Sequence, residues 1–487
     1  MRIYLPLSVA FLMLLGCQNP AETLESDRPN IILLLADDLG YNDLSVYRAN
    51  HADTSSQVPT CQTPHLDQLA EQGIRFTQFY CGAAVCSPSR AALLTGRNAT
   101  RVGIYNWIPG NNPMHLRDSE VTLAEMLNTA GYRSGHFGKW HLTSEGMEQP
   151  LPMHQGFEHA FYAYNNAKPS HENPVNYFRN GNAVGPMQGY ACHLVVEEAL
   201  GWLDTVQSSG KPFYANIWFN EPHEKVAAPD SLKNRHDYQQ AYYGAIENMD
   251  LAIGRVMQYL QDKGIANNTI VLFASDNGSQ VLGSNDPLRG EKCYNYEGGI
   301  RSPFMVRWPG KIKPGQQSSA PGSFVDILPT LAEITGAGTP DRKLDGRSLS
   351  AVLQGTQSVP NQKQPIFFFR YFHDPAIMMR AGDWVLLGYY HTPLPYEENY
   401  NQQQTANLKP GPGAPRWSMW GFQPAHQTFM QEQRIQFFEL YNIIEDPAQK
   451  RDLSGDYPGR LERMKRRAME LKREMLSEGG NWYETDG

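Results

Sequence analysis

Two pairs of oxygen-bearing residues, each led by an aspartate, stand where apolar runs end. Ile31 to Ala36 is uninterrupted by any polar residue and closes on Asp37-Asp38, and Thr269 to Ser275 closes on Asp276-Asn277-Gly278. A run that is apolar at every position reads as a strand covered on both faces, as in a parallel sheet. The carboxyl ends of such strands are where open α/β sheets place their sites. Either pair alone could cap a helix or shape a turn. Brought together they would give a cluster of hard oxygen ligands, which suits Ca²⁺ or Mg²⁺. No His/Cys set suggests zinc.

A second group of residues could act on whatever that cluster binds. Cys86-Ser87-Pro88-Ser89-Arg90 reads as a helix start, with Pro88 at the first helical position and Ser87 as N-cap. Ala91 to Leu94 favour helix and Gly96 suits its end. Cys86 would then lie just before a helix N-terminus, where free N–H groups favour an anion. Arg90 opposes the helix dipole and needs an acidic group to face. The run from Tyr132 passes through Gly138 and presents Lys139 and His141 two apart, on one side of a strand end. Pro212 to Phe219 is another buried strand, ending in Asn220-Glu221-Pro222-His223, and Lys292 follows Arg289-Gly290-Glu291. Taken singly, each of these is as readily a solvated lysine or a loop histidine.

The arrangement along the chain is more specific than its parts. Cys86-Ser-Pro-Ser-Arg90, continuing as Ala-Ala-Leu-Leu-Thr-Gly-Arg97, resembles the signature of the type I, formylglycine-dependent sulfatases, arylsulfatase-like members of the alkaline phosphatase superfamily. Other segments resemble that family in the same order: T-P-x-L-D-x-L-A-x-x-G-x-x-F from Thr63, G-K-W-H-L from Gly138, Pro222-His223, L-R-G-x-K from Leu288, E-G-G-x-R-x-P from Glu297 and E-L-Y-N-x-x-x-D-P from Glu439. One small departure is Thr143, where the family usually has glycine.

The resemblance implies a function and assigns roles. Cys86 would be oxidised to Cα-formylglycine (3-oxoalanine) by a formylglycine-generating enzyme that reads C-x-P-x-R. Asp37, Asp38, Asp276, Asn277 and the modified Cys86 would hold the metal, usually calcium, with Mg²⁺ possible. Arg90, Lys139 and Lys292 would face the sulfate, whose negative oxygens call for cations and hydrogen-bond donors. One hydroxyl of the hydrated aldehyde would attack sulfur and form a covalent sulfate ester. His141 would deprotonate the other hydroxyl and expel sulfate. His223, with Lys292, would protonate the departing alcohol. The expected reaction is hydrolysis of sulfate monoesters (EC 3.1.6.-), with sulfated carbohydrate as substrate. Two other readings stay open at this level: a formylglycine-dependent phosphonate or phosphodiester hydrolase, and a catalytically inactive glycan-binding surface lipoprotein.

These residues need a frame. The 487 residues exceed one small domain, and a net charge of −8 with 19% charged and 41% hydrophobic residues offers no basic field for nucleic acid. The resemblance implies a large, mixed, mostly parallel sheet sandwiched by helices, with a small C-terminal antiparallel sheet and helix. Residues 28–355 are expected to form the catalytic domain and 356–487 the C-terminal α+β subdomain, with a polar linker near 356–364 and a long loop over 391–433. Residues 1–17 read as a lipoprotein signal peptide, in which Leu14-Leu15-Gly16-Cys17 makes Cys17 the lipidated residue, and 18–27 as a polar tether. The protein is thus expected in the periplasm or on the cell surface, touching membrane only through a lipid anchor. Cys61, Cys81, Cys192 and Cys293 remain, and whether any of them pair is open.

Overall fold

The computed structural model describes residues 28–48, 61–280, 282–356, 364–371, 373–393 and 422–483. The expected signal peptide with Cys17, the tether, most of the linker and most of the long loop lie outside the described residues. Within them no helix is long and apolar enough to cross a membrane.

Ten strands form the main sheet, and five consecutive ones at its centre are parallel: Thr269–Ser275, Asn30–Ala36, Phe213–Trp218, Arg133–Lys139 and His159–Ala163. The all-apolar strand explains its own place. Ile31, Leu33 and Leu35 enter one core and Ile32, Leu34 and Ala36 the other, so alternate residues bury against opposite layers. The first layer contains helices Cys86–Thr95, Leu123–Thr129 and Ile327–Thr335. The second contains Pro64–Glu71, Ala191–Gln207 and Gln240–Asp262, the last contributing Ile246, Met249, Ile253, Val256 and Leu260 at helical spacing.

Register does the positioning. Ala36 pairs with Ser275, Leu35 with Trp218, Gly138 with Trp218, and Lys139 with Ala163. The residues that follow these pairs therefore emerge in one row along a single edge of the sheet. Backbone bonds extend the row past the strands, from Asp276 N–H to the Ala36 carbonyl (3.1 Å), Asp37 N–H to Glu221 (2.9 Å) and His141 N–H to Tyr164 (2.8 Å).

Beyond the main sheet, Ile366–Phe369, Ile377–Ala381, Trp384–Tyr389 and Phe437–Asn442 form a four-stranded antiparallel sheet. Helix Pro458–Gly479 lays Met464, Ala468, Leu471 and Met475 on it, and its exposed side carries Arg463, Arg466 and Arg473. The same helix is tied to the catalytic layer by Arg101, which pairs with Glu474 (2.8 Å) and Asp345 (2.8 Å), and by Arg97 with Glu478 (2.6 Å).

Several local features differ from the plainest reading of their sequence. The run Ile74–Tyr80 is not one strand. Ile74–Phe76 pairs in the main sheet, and Phe79–Tyr80 joins Gly322–Ser323 in a separate pair, with Phe79 stacked on Phe304 at 3.7 Å. Ile377 to Tyr390 is a hairpin, turned at Gly382 with φ +62°. Thr63 does not cap the helix after it, because the free N–H groups of His65 and Leu66 donate to the Asp250 carboxylate at 3.2 and 2.8 Å. All five described cysteines are free thiols.

Candidate active site

Cys86 is the first residue of its helix, which begins two positions earlier than its sequence suggests. Val85 takes the N-cap place in extended conformation, and the Ser87 hydroxyl instead accepts the N–H of Ile108 at 3.0 Å. The expected anion-friendly helix start is kept, since Cys86 still lies in the first turn. Its Sγ is 3.6 Å from Asp37 Oδ1 and 3.8 Å from Lys139 Nζ. Burial pushes the thiol up to about 12, so it stays protonated near neutral pH.

Arg90 finds the acid that its position demands. Its Nε and Nη2 donate to Asp276 Oδ2 at 3.1 and 2.8 Å, its Nη1 donates to the Lys139 carbonyl at 3.0 Å, and its guanidinium lies over Trp218. The pair is fully buried. Burial works against the charge of Arg90, but Asp276 and then Asp37 hold its pKa above the ordinary value.

The two adjacent aspartates face different partners. Lys139 Nζ donates to Asp37 Oδ2 (2.5 Å) and to Asn166 Oδ1 (2.9 Å). Lys292 Nζ donates to Asp38 Oδ2 (2.6 Å), and His223 Nε2 lies 3.4 Å from the same oxygen. Asp38 itself has φ +66°, which turns its side chain off the line of the strand. Burial raises Asp37, yet the charge of Lys139, ahead of those of His223, Arg90 and Lys292, holds it well below the carboxylate range. Burial and the Asp37 charge push Asp276 up to about 7.

The histidines are oriented by main-chain carbonyls. His141 Nε2–H donates to the Ile108 carbonyl at 3.1 Å, which leaves Nδ1 bare and buried without a hydrogen-bond partner. Burial, then Lys139 and Arg90, holds this ring well below the usual histidine range. His223 Nδ1–H donates to the Glu224 carbonyl at 2.8 Å, which aims Nε2 at Asp38, and burial pushes the ring down to about 4. For Lys292, burial opposes the charge but Asp38 holds the ammonium well above its ordinary value.

A hard cation fits this donor set. Asp37, Asp38, Cys86 and His223 each bring a ligand atom within 4.8 Å of the others. Asn277 Nδ2 donates to Asp38 Oδ1 at 2.7 Å, while its own Oδ1 is buried without a hydrogen-bond partner. Such an oxygen among crowded buried carboxylates is what a divalent ion would satisfy. Asp276 stands one step back, its Oδ1 accepting the Asp38 N–H at 3.2 Å and its Oδ2 taken by Arg90.

Among the described residues, those expected to hold the metal and the sulfate thus gather at the sheet edge. Asn166 was missed. It follows strand His159–Ala163, and its position past a parallel strand end was the one available signal.

A family model described as Sulfatase matches residues 29–337, more than half of the chain. One described as N-sulphoglucosamine sulphohydrolase, C-terminal, matches 290–405. Human arylsulfatase A is 36% identical over 380 residues, 71% of each chain. N-acetylgalactosamine-6-sulfatase of Canis lupus familiaris is 33% identical over 404 residues, 76% of this chain and 72% of the relative. The same fold occurs in the crystal structure of Ps i-CgsB in complex with k-i-k-neocarrahexaose, at TM-score 0.75 and 23% identity over 94% of this chain and 95% of that one. The family model over most of the chain, and relatives a third or more identical over about three quarters of it, place this chain in the sulfatase family as a sulfuric ester hydrolase.

Proposed function

We propose that the enzyme removes sulfate from sulfated carbohydrate, using a formylglycine made from Cys86 by a formylglycine-generating enzyme. The observation that carries this is the convergence of Cys86, Lys139 and the bare Nδ1 of His141 on the Asp37 side, against Lys292 and His223 on the Asp38 side. A sulfate ester between them would have a nucleophile on one side of sulfur and proton donors on the other. The match to relatives named for a galactosamine sulfatase and to a structure with a carrahexaose supports a glycan substrate.

A Ca²⁺ ion, or Mg²⁺, held by Asp37, Asp38, Asp276, Asn277 and residue 86 would supply positive charge to a sulfate oxygen. The hydrated aldehyde would supply a hydroxyl nucleophile more reactive than the buried thiol it replaces. The chain's own residues do the rest. Arg90 fixes Asp276 and spans to the Lys139 carbonyl, which keeps the strand ends in register. Lys139, steadied by Asn166, presents an ammonium beside residue 86 to a sulfate oxygen. His141 takes a proton at Nδ1 from a hydroxyl on residue 86. The charge of a bound sulfate would favour the protonated ring of His223, which with Lys292 hands a proton to the leaving alcohol oxygen. No carried-over position is substituted, which favours this reading over an inactive binding protein.

The test is a panel of defined sulfated oligosaccharides set against aryl phosphonates and phosphodiesters. Sulfate release from a sugar, well above any phosphonate turnover, is the expected result. Preferred phosphonate turnover would replace it with the phosphonate hydrolase reading. We further propose that residues 1–17 direct export and that Cys17 is lipidated, which metabolic labelling with palmitate and a Cys17→Ala variant would check.

A further inference from the structure

A second cluster of metal-ligating side chains lies away from the sulfate site. Cys61, His236 and Glu247 come from three separate elements: the stretch entering helix Pro64–Glu71, the turn after the short helix Asp230–Lys233, and the long helix Gln240–Asp262. All three are buried, at 3%, 5% and 2% exposure. One ligand atom from each lies within 4.8 Å of the other two.

The geometry is not that of an ordinary ion pair. His236 Nε2 is 3.1 Å from a Glu247 oxygen, yet the contact fails as a hydrogen bond and the ring nitrogen is left without one. A buried imidazole nitrogen close to a carboxylate but not bonded to it is one that could share a third partner with it. Ligand atoms around a tetrahedral zinc lie roughly 3.2–3.8 Å apart, so sub-ångström shifts would bring all three onto one ion.

We propose that Cys61, His236 and Glu247 form a structural metal site that takes Zn²⁺. One thiolate, one imidazole and one carboxylate are a borderline-soft set that suits zinc and not the Ca²⁺ or Mg²⁺ of the oxygen cluster. Sequence spacing gives no hint of such a set, because the three ligands are separated by more than 170 residues at one interval and carry no local motif. Binding is not a redox step. The Cys61 S–H bond breaks, its proton goes to solvent, and the sulfur donates its electron pair to zinc, with water in the fourth position. Exposed Gln62 and Arg235 stand beside the ligands and mark the short route to solvent.

The surroundings favour a cation. Asp43, Glu247 and Asp250 all add negative potential at Cys61, with Arg48 the opposing charge. Glu247 also accepts the Gln62 N–H at 2.9 Å and pairs with Arg235 at 3.2 Å, so its carboxylate is already oriented. A tie here would brace the helix that carries Tyr242, whose hydroxyl donates to Asp43 at 2.6 Å and lies 3.2 Å from the Asp38 carbonyl.

Co²⁺ is a direct probe, because only a thiolate ligand gives the strong near-ultraviolet sulfur-to-cobalt charge-transfer band. Purified full-length protein is first saturated with Ca²⁺, to fill the oxygen cluster, and then titrated with CoCl₂. The expected result is such a band saturating at about one equivalent, displaced by Zn²⁺. The band should survive Cys86→Ser and vanish in Cys61→Ser, and Glu247→Gln should weaken Co²⁺ binding by roughly tenfold or more. On the wild-type protein alone, Zn²⁺ should shield Cys61 from iodoacetamide in a peptide-resolved alkylation experiment, so the test does not depend on whether the variants fold. A wild-type protein with no band, a band lost with Cys86, or Cys61 alkylated equally with and without Zn²⁺ would overturn the proposal.

Discussion

The two adjacent aspartates of the site live in different worlds. Asp37 and its partner Lys139 are completely sealed, with 0% side-chain exposure each. Asp38, Lys292 and His223 retain 8%, 8% and 16%. The Asp37 half is built from strand ends locked in register, with Arg90 tying Asp276 to the Lys139 carbonyl. The Asp38 half is built from loops, the Asn220–Glu224 turn and the glycine-rich approach to Lys292. A nucleophile gains most from a fixed, dry setting, where its distance to sulfur does not vary. A leaving group must enter and depart, so the open half is the one suited to the leaving alcohol.

The comparison is broken most severely by removing its sealed half. Cys86→Ala should lower kcat by roughly 10⁴-fold or more, since no other group can take the nucleophile's place. Asp276→Asn keeps the volume but deletes the charge that faces Arg90. It should lose bound metal and roughly 10²–10³-fold in kcat, read by elemental analysis beside turnover. Prolonged chelation of the unaltered enzyme should likewise abolish activity, and added Ca²⁺ should restore it. Full turnover with no divalent metal detected would contradict the metal assignment.

The histidines sharpen the contrast. His223→Ala should slow a sugar sulfate by roughly 10²–10⁴-fold while barely affecting nitrophenyl sulfate, whose leaving group needs little protonation. His141→Ala acts on the sealed side and should slow both substrates by one common factor. Equal losses on both substrates from both variants would show that the two halves do not divide the reaction in this way. The smallest effect belongs to Asn166→Ala. It takes one hydrogen bond from Lys139, worth about 1.5 kcal/mol next to a charged group, and should cost about tenfold in kcat/KM.

Legibility follows the same division. The sealed half was readable because an all-apolar run admits one interpretation, a strand buried on both faces, and whatever follows it must lie at the sheet edge. Asp37 and Asp276 were found in that way, while Lys139, at the end of a mixed strand, needed the resemblance as well. Arg90 was readable from a misfit, a cation where the helix dipole disfavours one. The open half was placed by resemblance, since Lys292 and His223 lie in loops whose path has no period to read. Asn166 escaped because an Asn-Asn pair after a strand looks like any polar turn. Phe79 escaped because aromatic stacking on Phe304, a partner far along the chain, overrode the continuation of a strand. The Cys61, His236 and Glu247 cluster was invisible for a related reason, as long-range packing brings it together and no local spacing announces it.

The central claim is that residue 86 works as an aldehyde and not as the thiol the gene encodes. Trypsin releases it in the peptide Phe76 to Arg90. In protein co-expressed with a formylglycine-generating enzyme, this peptide should show the mass of the cysteine-to-formylglycine conversion and react with a hydrazide. Specific sulfatase activity should rise in proportion to the converted fraction. Full activity in a preparation whose peptide carries only the unmodified thiol would contradict the account.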